Sequence, residues 1–185
     1  MFEFAENSPV SGTDLKSIIN SAADADSEIE ISAEFGNASY TGFVTIGGAT
    51  AGIAAAGKEG SKLNSDDCAK LARFMRTCDA FSIPVVTFVN SEGFEDADAV
   101  SSIKAMTTLA NSYSEATTVK IAVVTGKAVG PVFAAVAGNS SNSDFTYAYP
   151  DAVIAPVSSA AAVEFMWHDK LKGTDNLESA RTVSY

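Results

Sequence analysis

Two glycine-bearing stretches of this 185-residue chain carry the residue types most able to do chemistry. They are Asn90 to Asp98, and Gly126-Lys127-Ala128-Val129-Gly130-Pro131 with Val132 behind it. Each follows an apolar run and leads toward a helical pattern, so each falls at the carboxyl end of a predicted parallel strand, where α/β proteins bind ligands. In the second stretch a strand end, a glycine and a helix start bring backbone N–H groups and the positive end of a helix dipole toward one point. Such a point can stabilise a developing oxyanion. An ordinary glycine-containing turn has the same shape, and on the residues alone both readings stand.

Other candidates have structural explanations. Asp66-Asp67 and Glu92, Glu95, Asp96 and Asp98 are acidic clusters, but they lack the spaced ligands of a calcium loop. They read as solvated, helix-capping carboxylates, and no metal is expected. His168 is the only histidine, after Trp167 at a predicted helix end; no nucleophile elbow accompanies it, so it reads as a surface or capping residue. Cys68 and Cys78 lie on one face of one predicted helix and cannot pair without breaking it. They read as core thiols. A phosphate loop and a Gly-x-Gly-x-x-Gly fingerprint are both missing, which argues against a nucleotide-binding Rossmann domain.

A formal net charge of -11 argues against nucleic acid or an anionic membrane as partner, since both require a basic face. No apolar run approaches the roughly 20 residues of a spanning helix, and the N-terminus is acidic where a signal peptide would be basic. Cytoplasmic location is expected, without membrane insertion. The length and the 46% hydrophobic content suit one domain with a substantial core.

The elements that must position the two loops follow from periodicity. Residues 1–13 have no period and read as a tail or strap, ahead of one domain over 14–185. Leu15, Ile18 and Ile19 mark a short helix over Asp14 to Ala22; Glu28 to Ala33 alternates like a half-exposed strand. Gly47-Gly48 between Tyr40–Ile46 and Ala49–Ala56 predicts a tight hairpin. Cys68, Leu71, Ala72, Met75, Cys78 and Phe81 recur at helical spacing, capped by Ser65 or Asp66 and stopped before Pro84. Val85 to Val89 is then a strand buried on both faces. A second helix spans Ala97 to Glu115 with Val100, Ile103, Met106, Ala110 and Tyr113 inward. Val119 to Thr125 forms another buried strand, followed by a helix from Val132 to Ala137. Short strands at Phe145–Tyr147 and Val153–Ile154 precede a last helix from Ser158 to about His168. This alternation predicts an α/β domain with parallel strands covered by helices. Cys68, Leu71, Met75, Val86, Phe88, Ile103, Met106, Ile121, Val123 and Phe133 are expected in one core.

The segment Ser65 to Phe94 resembles the second half of the carboxyltransferase subunit of biotin-dependent acyl-CoA carboxylases and decarboxylases. The likeness continues through Tyr147-Ala148-Tyr149-Pro150 and Ala162-Val163-Glu164, and upstream through Thr41-Gly42-Phe43, Gly47-Gly48 and Gly52-Ile53. It covers about Asp14 to Glu164. The resemblance implies a crotonase-like spiral of β-β-α units. It also implies transfer of a carboxyl group between carboxybiotin and an acyl-CoA thioester, with biotin carried on a partner carrier protein. Expected partners are that biotin carboxyl carrier protein, an N-terminal carboxyltransferase half and further copies of the chain in a homo-oligomer. The family's polypeptide continues past the end of this chain, so truncation or a split subunit is expected.

By the same resemblance Gly130, Pro131 and Val132 form an oxyanion loop for the ureido carbonyl, while Gly93, Phe94 and Phe133 contact substrate or biotin. The chain departs from the family pattern at that loop. Pro131 replaces a second glycine and has no N–H to donate. Asn90-Ser91-Glu92-Gly93 replaces an Asp-x-Pro-Gly turn, Ala56-Gly57-Lys58 an Asn-Gln-Pro run, and Ala134 a polar residue. A non-catalytic scaffold that keeps the spiral is the alternative these departures leave open.

Overall fold

A computed structural model describes residues 14–95, 100–138 and 141–166. The calls on residues 1–13, on Asp96 to Asp98, and on Trp167 to Tyr185 with His168 lie outside the described residues. The helix α1 (Leu15–Ala22) is capped by Asp14, and β1 (Ile29–Glu30) pairs antiparallel with β2 (Ser39–Ile46). Gly47 and Gly48, at φ +59° and +81°, close the expected hairpin into β3 (Ala49–Gly60). There follow α2 (Ser65–Ala80), β4 (Val85–Ser91), α3 (Val100–Glu115) and β5 (Lys120–Val129). The described chain ends through α4 (Pro131–Val136), β6 (Phe145–Ala148), β7 (Val153–Ala155) and α5 (Ser159–Met166).

These strands form a seven-stranded sheet in the order β1-β2-β3-β4-β5-β6. From β3 onward the pairing is parallel, with β4 and β5 neighbours as expected. The long β5 changes partners along its length. Its first half, Ile121 to Val124, pairs with β6, and its last residues, Lys127 to Val129, pair with β7. Thus Gly126 to Val129, expected in a connecting loop, is strand, and so are Asn90 and Ser91. The backbone of each stretch finds ladder partners that lie far away in sequence, which no local pattern reveals.

The interior is two clusters rather than the single one expected. Leu71, Met75, Val85, Val89, Leu109 and Val132 pack between the sheet and α2, α3 and α4. Ile18, Ile19, Tyr40 and Phe88 pack on the α1 side, with Val86 and Val123 against them. A strand buried on both faces sends successive side chains to opposite layers, so β4 must divide its residues between two cores. Helix α3 packs through Leu109, Ser112 and Tyr113, and its first turns carry apolar side chains into solvent: Val100 is 83% and Ile103 48% exposed. Both were expected inside. In β1 the alternation runs with the isoleucines outward, because Glu28 accepts from Tyr40 Oη at 2.6 Å and pairs with Lys16.

At the head of α2 the cap is Asn64, rather than Ser65 or Asp66. Its Oδ1 accepts the N–H groups of Asp66 and Asp67 at 2.9 and 3.0 Å, while Asp67 Oδ2 accepts the Asn64 N–H at 3.0 Å. This is a capping box with a carboxylate at N3. Cys68 and Cys78 are free and buried, as expected, and burial pushes both thiols up to about 12.

Candidate functional site

The carboxyl ends of β4 and β5, together with β7 and the start of α5, enclose an open groove of about 800 Å³. Gly93, Phe94, Gly130 and Pro131 all line it, so residues far apart in sequence meet as the candidate site requires. The two other expected members do not join them. Val132 is fully buried and Phe133 packs against the core of α2 to α4. One turn of helix places these side chains on the inner face of α4, beside Ala135 and Val136.

Hydrogen bonds fix the first wall. The buried Ser91 hydroxyl donates to Ser61 O at 2.7 Å, with Gly93 O 3.0 Å away, and its oxygen accepts the Gly93 N–H at 3.2 Å. Leu63 N–H donates to Gly93 O at 3.0 Å, and Glu95 N–H to Leu63 O at 2.8 Å. Gly93 sits at φ +128°, a conformation open to glycine, so the turn needs that residue. The Phe94 N–H has no hydrogen-bond partner among the described residues, which leaves it as the backbone donor of this wall.

On the opposite wall, Gly130 at φ +66° turns β5 into α4. Its N–H donates to Ala155 O at 2.8 Å, a bond that fastens the turn to β7. Pro131 occupies the first helical position, where a missing N–H costs the fold little. No side chain caps this helix. Of the loop Gly130-Pro131-Val132 given by the resemblance, the Gly130 N–H is bonded to protein and Pro131 has none, which leaves the Val132 N–H in the first turn of α4. The groove's Val153, Ala155 and Val157 make an apolar wall suited to a small ring system.

Charge enters through Lys62, Lys127 and Glu92; of these, Glu92 was read from the sequence as a solvated carboxylate, and neither lysine was given a role. Lys127 Nζ donates to Glu92 Oε1 at 2.5 Å, and that hydrogen bond, with the ammonium charge behind it, holds the Glu92 carboxyl below its ordinary value. Both side chains are about half exposed, so the pair contributes little to stability. Its weight lies in placing a cation at the groove. Only the parallel register of β4 and β5 makes these residues neighbours.

Residues 3–182 match the family described as the carboxyl transferase domain. Over 179 residues the chain is 34% identical to the propionyl-CoA carboxylase beta chain of Cereibacter sphaeroides, covering 93% of this chain and 34% of that relative. Against the human mitochondrial propionyl-CoA carboxylase beta chain it is 33% identical over 169 residues, covering 89% of this chain and 31% of that one. Among solved structures, transcarboxylase 12S superposes with a TM-score of 0.80 at 27% identity, over 96% of this chain and 36% of that chain. That protein is described as a hexamer, with methylmalonyl-coenzyme A bound to a multienzyme core. The chain thus spans about a third of the length of the relatives it matches.

Proposed function

The chain belongs to the carboxyl transferase domain family with the crotonase-like fold, and on that premise we propose that it is the biotin-side half of an acyl-CoA carboxyltransferase. With an N-terminal-type half and a biotin carboxyl carrier protein it moves a carboxyl group between carboxybiotin and an acyl-CoA thioester. The observation that carries this reading is the groove in which Gly93 and Phe94 face Gly130 and Pro131 across the ends of β4 and β5. Biotin supplies the carboxyl group when bound. The chain's own residues give the apolar wall from β7, the Phe94 N–H as an uncommitted donor and the Lys127 ammonium at the rim.

On this reading a second half completes the groove, so the protein works as a homo-oligomer with further copies and partner subunits. We assign the substrate-facing role to Gly93 and Phe94 and the degenerate oxyanion turn to Gly130 and Pro131. With Pro131 in place, one donor expected of that turn is missing, and loss of a single oxyanion-hole hydrogen bond costs on the order of 10²–10³ in rate.

The test is carboxyl transfer to free biotin from malonyl- or methylmalonyl-CoA. The chain alone is expected to be inactive, and with a matching N-terminal half to give weak transfer. Pro131→Gly restores an amide at the first helical position and should raise transfer. Full activity of the wild-type pair with no gain in Pro131→Gly would sink the lost-donor assignment. Absence of transfer in every pairing, with circular dichroism unchanged, would overturn the carboxyltransferase reading itself.

A further inference from the structure

A second cavity, of about 200 Å³, lies on the α1 side of the sheet at the carboxyl ends of β3, β4 and β5. Leu15, Tyr40 and Phe88 give it an apolar side. Its polar wall arises from an irregularity in the sheet. Val89 pairs with Ala56 and with Val124, and Ser91 pairs with Gly60 and with Ala128. Asn90 alone therefore stands opposite residues 57–59 on one strand and 125–127 on the other. Bulges of this kind re-aim side chains and concentrate beside functional sites.

The backbone accommodates Asn90 at some cost. Gly57 is at φ +89°, and a Cβ there would lie 2.2 Å from the Asn90 carbonyl oxygen. Glu59 holds φ +54° without being glycine. On the other side, a Cβ on Gly126 would lie 2.4 Å from Asn90 Oδ1. That oxygen accepts the Lys127 N–H at 3.0 Å. Asn90 is only 8% exposed and lines the cavity, and its Nδ2 has no acceptor among the described residues. The side chain is thus largely enclosed while its Nδ2 is turned to whatever fills the cavity, a donor available to a ligand oxygen. Thr125, also buried and lining the cavity, donates to Val89 O at 3.4 Å and keeps its oxygen lone pairs.

Most charges around the cavity are already engaged. Lys16 is held by Glu28 and by Glu30 at 3.5 Å, and Asp14 by the Lys16 N–H and the Ser17 hydroxyl at the start of α1. Lys58 lines the cavity and forms no ion pair among the described residues. Among the described residues, Lys58 thus stands as an unpaired cation with the Asn90 amide donor beside apolar walls, while Glu30 and Glu59 oppose a multiply charged anion.

We propose that this cavity binds a small monocarboxylate, its oxygens taking the Asn90 Nδ2 and Lys58 Nζ donors and its apolar body lying on Leu15, Tyr40 and Phe88. A cavity of about 150 Å³ accommodates a benzene-sized molecule, so one ring bearing a carboxylate fits the space. This site is independent of the carboxyltransferase reading and stands whether or not that reading holds.

The test is titration of the ¹⁵N-labelled full chain with benzoate, and with benzamide as its neutral match. Benzoate should shift the Asn90 side-chain resonance and the amides of Gly57, Lys58 and Thr125, with Kd on the order of 1 mM, in the range a ligand of this size can reach. Benzamide should bind about tenfold more weakly to the wild type, and Lys58→Met should weaken benzoate about tenfold, since a charge-assisted hydrogen bond is lost in each case. Lys58 is only partly buried and makes no ion pair among the described residues, so this variant should fold, and its spectrum away from the cavity reports that directly. Shifts confined to Gly93 and Gly130, equal binding of benzoate and benzamide with Lys58→Met unchanged, or no shift up to tens of millimolar would each overturn the proposal.

Discussion

Pro131 shows how one residue can satisfy the fold while altering the chemistry. At the first position of α4 its fixed φ and missing N–H suit the helix, and the same missing N–H removes a donor from the groove. Gly126 is constrained in the opposite sense. Gly126→Ala drives a Cβ to 2.4 Å from Asn90 Oδ1, so it should destabilise the protein by about 1–3 kcal/mol by overpacking, measured by urea denaturation. The thiols make a pH prediction. Burial raises Cys68 and Cys78 from 9.0 to about 12 in the folded state, so the folded state holds its protons more tightly than the unfolded chain. Their stabilising contribution is complete below about pH 9 and is lost as pH rises toward 12. Replacing both with alanine should flatten this alkaline decline. Native protein should resist a thiol reagent until it unfolds.

Among the elements, α2 is the one whose two ends are tied most explicitly. Asn64→Ala breaks the capping box and should lower stability by about 1 kcal/mol, read from the denaturation midpoint at constant slope. At the far end, Asp79 Oδ1 accepts the Thr117 and Thr118 N–H groups at 2.7 and 2.9 Å, joining α2 to the start of β5. The Thr118 hydrogen bond first, and the Thr117 one next, hold its carboxyl below the ordinary 3.8. A depressed folded value contributes stability above the unfolded value, lost as pH falls through the folded one. Asp79→Asn should therefore weaken the protein at neutral pH and reduce its further loss on acidification below about pH 4, followed by thermal melting. The helix α2 was legible because Cys68, Leu71, Ala72, Met75 and Cys78 repeat at helical spacing, whereas Phe81, read with them, is the C-cap and is 74% exposed. The bulges around Asn90 were not legible, because a bulge is a relation among three strands.

At the scale of the molecule, β6 lies at the end of the sheet order with Phe145 and Tyr147 exposed, their rings stacked 6.5 Å apart. Val153, Ile154, Val157, Phe165 and Met166 are also exposed. A strand edge with no partner among the described residues, beside this much apolar surface, invites one. Light scattering at two concentrations should show self-association, and a strict monomer at the higher one would contradict the assembly proposed above. The sequence by itself determined the apolar cores of the strands, the long helices, the glycine hairpin and the free thiols, because those rest on local periodicity and on the φ freedom of adjacent glycines; the ends of β4 and β5 it left as loop. It also carried, through its motifs, the likeness to one family. Only the tertiary structure decided the division of β4 between two cores, the bond from Gly130 N–H to Ala155 O, and the meeting of Glu92 with Lys127. Each depends on which distant strands become neighbours and in what register, a choice set by the packing of the whole sheet rather than by any stretch of chain.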